Sequence, residues 1–172
     1  MTRHATIGTG VPGLDDAALQ ASFRGAMASV AAPVSVVTTF RDGRPFGATV
    51  SAFASLSLRP PMLVVSLDNA STVLSRLGVG SSVGVNVLGA HQDQVALRFA
   101  TRGIDKFADI AWTLEDGVPV LSDCHAWVSM AVVQLVEAGD HTLVLGQVGS
   151  ARTSPSRPLT YWQRTFGTHQ AF

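Results

Sequence analysis

The chain has 172 residues, a formal net charge of +0, and is 47% hydrophobic and 14% charged. That length suits one domain with a sizeable core, and the balanced charge leaves no basic footprint for nucleic acid or an anionic membrane surface. A single cysteine, Cys124, excludes an intrachain disulfide and a cysteine-based metal cluster, and fits the cytosol.

Met1 to Gly13 is polar and Gly-rich, without the apolar centre of a signal peptide, and reads as a flexible arm. Residues 14–172 read as a single domain, with no run long enough to cross a membrane as a helix. Asp15 to Val30 reads as a helix capped by Asp15 or Asp16, with Leu19, Phe23, Met27 and Val30 forming a buried stripe. Pro33 stops it. Val34 to Phe40 is a β-branched strand, and Asp42-Gly43 supplies the positive φ angles of a tight hairpin turn.

Gly47 to Pro61 follows as the return strand, and it alternates strictly. Val50, Ala52, Ala54, Leu56 and Leu58 fall on one face, and Thr49, Ser51, Phe53, Ser55 and Ser57 on the other. A solvated face would carry Lys, Glu or Arg. This one carries short hydroxyls, which let a flat ligand approach the backbone; a Ser/Thr-rich strand of any β protein would read the same way. Pro60-Pro61 breaks the chain.

Met62 to Leu67 is a continuous apolar strand and Asp68 to Thr72 a polar loop. A short helix over Ser71–Leu77, a strand over Ser82–Leu88 with Asn86 as a polar insertion, and a helix over Gln92–Ala100 with Val95, Ala96 and Phe99 on one side come next. Asp105-Lys106-Phe107 is a loop and Trp112 to Leu114 a brief strand. Gly117 to Leu121 leads to a long strand, Ala126–Val136, whose hairpin closes through Gly139-Asp140-His141 into Thr142–Val148. Cys124 reads as a small buried thiol, and Pro158 to Trp162 as a helical turn. Six or seven strands joined by hairpins and short helices predict a mostly β, antiparallel barrel.

No dinucleotide-binding glycine fingerprint, phosphate loop, HExxH or GxSxG is present, and the five histidines lack ligand spacing, so no metal site is predicted. What remains is a set of polar pieces at strand ends: Thr49, Ser51, Ser55 and Ser57; Asp68 to Thr72; Asn86; Arg98, Arg102 and Lys106; and Asp140-His141. Singly, each has a structural explanation. Ser71-Thr72 caps a helix, Arg98 and Arg102 form a solvated helix face, Lys106 is a surface lysine, and His141 satisfies its turn. Together they supply hydroxyls, main-chain donors, positive charge and a titratable ring, which suits a phosphate-bearing planar cofactor.

In order and spacing these pieces resemble the short-chain flavin reductases with an FMN-binding split barrel, the small reductase components of two-component flavin-dependent monooxygenases. The matching stretches are Val36-Val-Thr-Thr, Gly47 to Pro61, Val85-Asn-Val-Leu, Arg98-Phe-Ala, Asp105-Lys-Phe, Gly139-Asp-His and Pro158-Leu-Thr-Tyr. The resemblance implies a homodimer with flavin near the subunit interface, and the cysteine usage a cytoplasmic one. By position, Ala48, Thr49, Ser51, Ala52 and Ser66 would contact the flavin. Ser57, Asp68, Ser71 and Thr72 would lie along the ribityl–phosphate path, Asn86 would support the pocket, and Lys106 with Phe107 would close it near the phosphate. His141 would help seat NADH. Family members often have Ser at the position of Ala52, which here offers only its backbone N–H.

The implied activity is NADH-dependent reduction of FAD or FMN, with the reduced flavin passed to a partner monooxygenase. NADH is favoured over NADPH because no Arg cluster for a 2′-phosphate falls near His141. The alternative is a flavin-binding split-barrel protein without free-flavin turnover: a carrier or sensor, or an oxidoreductase acting on its own organic substrate.

Overall fold

The structure is a computed structural model and describes residues 16–171. The arm expected over residues 1–13 lies outside the described residues, as does the Asp15 cap. In chain order the elements are α1 (Asp16–Ala28), β1 (Ala32–Pro33), β2 (Ser35–Arg41), β3 (Arg44–Val50), β4 (Phe53–Leu58) and β5 (Pro61–Asp68). A single 3-10 turn, Leu74–Arg76, precedes β6 (Ser82–Val87), α2 (Asp93–Ala100), β7 (Trp112–Glu115) and β8 (Val118–Leu121). The last four are β9 (Ala126–Ala138), β10 (His141–Thr153), β11 (Leu159–Trp162) and β12 (Thr165–Thr168).

Seven strands form one antiparallel sheet in the order β3-β2-β6-β9-β10-β5-β4. Its two outermost strands are consecutive in the chain, joined through Ser51-Ala52. The sheet therefore curls back on itself, and its open seam lies where β3 hands over to β4. Side chains alternating inward from the strands fill the interior with Val37, Leu63, Val65, Leu67, Val83, Val85, Val132 and Val144. A second cluster, with Val36, Leu88, Ala96, Phe99 and Leu159, seats α2 against the outer face of the sheet. Full burial of a side chain such as Phe99 contributes about 1.5–3 kcal/mol.

The β2–β3 hairpin forms as its turn chemistry requires, with Asp42 at φ 51° and Gly43 at φ 75°. The Gly139-Asp140 turn likewise pairs Ala138 with His141. Several expectations are corrected. The stretch from Gly47 is two strands, because the chain bends at Ser51-Ala52 and β4 leaves β3 to pair with β5. Its apolar parity is not a buried face: Ala52, Ala54, Leu56 and Leu58 are exposed, and a register shift at Leu56 breaks the alternation. Strand β5 buries only Leu63, Val65 and Leu67, since its other parity is half-exposed. The helix expected over Ser71–Leu77 is reduced to the 3-10 turn. Pro158 to Trp162 is not a helical turn: β-branched and aromatic residues make it β11, which pairs with β1 and β12. Twelve strands are found among the described residues because five of them are pieces of two to four residues, too short to show a period.

Helix α1 also departs from expectation. Leu19, Phe23, Met27 and Val30 do lie at helical spacing, but they are 50%, 64%, 50% and 53% exposed, and α1 buries none of its residues on this chain. Its C-terminal end is fixed by Gln163 N–H donating to the Ala28 carbonyl at 2.8 Å and Trp162 Nε1 donating to the Ser29 carbonyl at 3.0 Å. The stripe is built, but nothing among the described residues buries it.

Candidate functional site

A cleft of about 970 Å³ opens along the seam. Strand β3 and the Ser51-Ala52 bend form its floor. One wall is the end of β5 with Ala70, Ser71 and Thr72; the other is the end of α2 with residues 102–108 and Trp112.

The floor owes its chemistry to its place at the edge. In a two-residue hairpin the closing pair, here Arg41 and Arg44, exchanges both ladder bonds, and bonded pairs then alternate. The bonded pairs are thus Thr39–Phe46, Val37–Ala48 and Ser35–Val50, and Pro45, which has no N–H, falls at a non-bonded position. The N–H and C=O groups of Gly47 and Thr49 point away from β2, into the seam. Lys106 Nζ meets the Gly47 carbonyl there at 3.3 Å. The hydroxyl of Thr49 turns to the helix and donates to the Ala96 carbonyl at 2.6 Å.

The β5 wall is stapled to the mouth of the cleft. Register pairs Asp68 with His141. Asp68 Oδ1 accepts the Ala70 N–H at 2.7 Å and fixes the loop, and its Oδ2 lies 3.5 Å from the Arg102 guanidinium across the cleft. Asn69 N–H donates to the Asp140 carbonyl at 3.0 Å, Asn69 Nδ2 donates to the Gly139 carbonyl at 3.3 Å, and Thr142 Oγ1 donates to Asn69 Oδ1 at 2.8 Å. The turn carrying His141 and the loop carrying Ser71 and Thr72 are therefore tied together. Asp140 Oδ1 is 2.7 Å from His141 Nδ1, and that bond holds the Asp140 carboxyl below its ordinary range. Ser71 Oγ accepts the Val73 N–H at 3.2 Å, a local cap. The hydroxyls of Ser51, Ser66 and Thr72 have no partner among the described residues, so they are available to a ligand.

The opposite wall is fastened by charge. Arg98 Nε donates to the Lys106 carbonyl and its Nη2 to the Asp105 carbonyl, both at 3.0 Å. Phe107 N–H donates to Asp105 Oδ1 at 3.0 Å. Lys106 Nζ donates to the Phe99 carbonyl at 2.7 Å; burial, then the nearby Arg102 charge, lower its pKa. Phe99, Phe107 and Trp112 meet edge to face, with centroids 4.9 and 5.7 Å apart, and give this wall an aromatic lining. Gly47 permits the approach: a Cβ there would lie 2.5 Å from Phe99 Cε1.

An open strand edge with free hydroxyls on one side and aromatic rings on the other fits a planar, polar-edged ligand. Residues 27–170 match the family model described as the flavin reductase like domain. The chain belongs to the flavin reductase-like family. It is 39% identical over 161 residues to the NADH flavin reductase of Kitasatospora aureofaciens, covering 90% of this chain and 83% of that one. It is 35% identical over 148 residues to the reductase component of the Rhodococcus opacus 4-nitrophenol 4-monooxygenase/4-nitrocatechol 2-monooxygenase, covering 86% and 80%. Among solved structures, the Streptomyces globisporus NADH:FAD oxidoreductase in complex with NAD and FAD fragments superposes with a TM-score of 0.84 at 28% identity, covering 92% and 97%. The barrel is accordingly the split barrel of the flavin reductases.

Within this flavin reductase fold, Ala48, Thr49, Ser51, Ala52 and Ser66 come together on the cleft floor. Asp68, Ser71 and Thr72 line one wall, Lys106 and Phe107 the other, and His141 the mouth. Two positions assigned by resemblance do not line the cleft. Ser57 lies beyond the β4 register shift, where its Oγ accepts the Arg59 N–H at 3.2 Å. Asn86 is fully buried beneath β8. Its Nδ2 faces the Val36 carbonyl at 3.2 Å, the Pro119 carbonyl at 3.3 Å and Thr38 Oγ1 at 3.2 Å, and its Oδ1 accepts the Leu121 N–H at 2.9 Å. It pins β8 to the sheet. Conversely, Arg44, Phe46, Phe99 and Trp112 line the cleft without having been singled out for it. Phe99 reads from sequence as core because its helical spacing is that of core; Arg44 reads as part of a turn.

Proposed function

We propose that this chain is an NADH:flavin oxidoreductase that reduces FMN or FAD and releases the reduced flavin to a partner flavin-dependent monooxygenase. The observation that carries this reading is the seam itself: a strand edge offering unpaired backbone donors, flanked by free hydroxyls and aromatic rings. Ala48, Thr49, Ser51, Ala52 and Ser66 on the floor, Asp68, Ser71 and Thr72 on one wall, and Lys106 and Phe107 on the other form the flavin site in this reading. The names of the relatives support both the reductase activity and the monooxygenase partner.

A flavin supplies hydride acceptance from NADH and hydride or electron donation afterwards, so the protein's task is binding, orientation and electrostatics. The N–H group of Thr49 is held by the β2–β3 ladder and aims a fixed donor at the ring edge, favouring negative charge there. Ser51, Ser66 and Thr72 supply rotatable hydroxyls without bulk. Lys106 adds a partly buried positive charge between floor and wall. His141, beside Asp68 at the mouth, stands where a dinucleotide enters and helps seat NADH.

In this reading the enzyme is a homodimer. The apolar stripe of α1 supports that, because no residue of the helix is buried among the described residues, and helices draw most of their stability from packing of the apolar face. The dependence on NADH and the single reduced cysteine support a cytoplasmic location. The test is the rate of NADH oxidation by purified protein with FMN, with FAD and with no flavin. Saturable dependence on added flavin is expected. Stoichiometric flavin binding with no NADH consumption would refute the reductase reading in favour of a carrier or sensor.

A further inference from the structure

The cleft runs along β3 as far as its hairpin end. At its far end Arg44 lines the wall beside Phe46, with its guanidinium 5.0 Å from the Phe46 ring centroid. Arg76 lies over the same ring at 4.9 Å. Two cations on one ring repel each other. Asp42, 3.8 Å from Arg76, neutralises one of them. The side chain of Arg44 has no hydrogen bond or ion pair among the described residues. One unit of positive charge is therefore left at this end of the cleft, on an aromatic platform, with all its donors free.

Position along β3 sets what can reach it. Lys106 Nζ marks the level of Gly47. Arg44 lies three residues further toward the hairpin, roughly 10 Å along an extended strand. A 5′-phosphate held at the level of Lys106 stops short of Arg44. A second phosphate with its nucleoside covers that gap, with the guanidinium for the diphosphate and the Phe46 ring for the base.

We infer that the Arg44–Phe46 end of the cleft is a subsite for the adenosine diphosphate group of a dinucleotide. The inference rests on the flavin reductase reading for the order of groups along the cleft. Both FAD and NADH carry the group, and the test separates them. Flavin fluorescence titrations with FMN and FAD, calorimetry with ADP alone, and the KM for NADH with FMN as acceptor are measured on wild type, Arg44→Gln and Arg44→Lys. Arg44→Gln weakens ADP binding about tenfold, the size expected on losing one charge-assisted contact, and Arg44→Lys recovers part of it. If FAD is the source, its dissociation constant rises about tenfold while that of FMN and the KM for NADH change less than twofold. If NADH is the source, its KM rises about tenfold and both flavins are unaffected. Equal weakening of FMN and FAD, or no change in ADP binding, overturns the subsite. Lack of NADH oxidation by wild type with either flavin overturns the reductase reading instead, and the ADP measurement still decides the subsite. Arg44 is exposed and the Asp42-Gly43 turn is untouched, so equal unfolding midpoints establish that the variants fold.

Discussion

Replacing Asn86 with Ala separates two roles that the sequence leaves mixed, a pocket support and a core fastener. The side chain is fully buried and sits between β2 and β8. The substitution removes the two N–H donors of Nδ2, worth about 1 kcal/mol net between them once shared over three long contacts. It also strands the Leu121 N–H, which donates to Asn86 Oδ1 at 2.9 Å in a residue 3% exposed, at a further cost of about 1–3 kcal/mol. The expected loss is about 3 kcal/mol, or roughly 6–12 °C in the midpoint for a chain of this size. The assay is thermal unfolding by circular dichroism at matched protein concentration, since association shifts the midpoint. Flavin KM is measured well below the midpoint, and it stays within twofold of wild type. A midpoint within about 2 °C of wild type together with a raised KM would return Asn86 to the pocket and refute the fastener argument.

Three other perturbations follow from the same geometry. Gly47→Ala places a Cβ 2.5 Å from Phe99 Cε1, so α2 must shift; a loss of about 1–3 kcal/mol and a raised flavin KM are expected, and an unchanged KM with an unchanged midpoint contradicts the close contact of floor and wall. Burial, then the Asp123 charge, push the Cys124 thiol from 9.0 to about 12, so in the native state it reacts with a thiol-specific reagent roughly a thousandfold more slowly than in the unfolded chain at the same pH. Because the fold holds the proton, this group's contribution to stability is complete below about pH 9 and declines above it; fast stoichiometric labelling of native protein contradicts that burial. Phe23→Glu puts a charge into the α1 stripe, where Phe23 is 64% exposed. Sedimentation is expected to change from dimer to monomer, and an unaltered dimer shows that α1 is not the interface.

Much of the molecule was legible because it is encoded locally. Asp42-Gly43 and Gly139-Asp140 define their hairpins through backbone angles that few other pairs tolerate. The spacing of Val95, Ala96 and Phe99 predicts the buried side of α2; Ala96 and Phe99 are buried and Val95 is half-buried. The hydroxyl row from Thr49 and the loop from Asp68 stood out before any pairing was known, because short uncharged donors in place of charges are a property of composition; Thr49, Ser51, Asp68, Ser71 and Thr72 line the cleft, and Ser55 and Ser57 do not.

What the sequence could not determine is what each face meets. The stretch from Gly47 alternates as one strand, yet Ser51-Ala52 splits it between opposite edges of a seven-stranded sheet, and that closure is what frees the edge donors of Gly47 and Thr49. Asn86 and Ser71 look alike as polar insertions near strand ends; pairing with β2 and β9 buries one under β8 and leaves the other at the cleft. Arg44 becomes a cleft residue because β3 ends up as the edge strand beside the seam. Local periodicity fixes element type through backbone sterics and side-chain alternation. The choice of partner strand, and with it which polar group is buried and which reaches a ligand, is a balance of contacts between residues far apart in the chain, and only the closed barrel decides it.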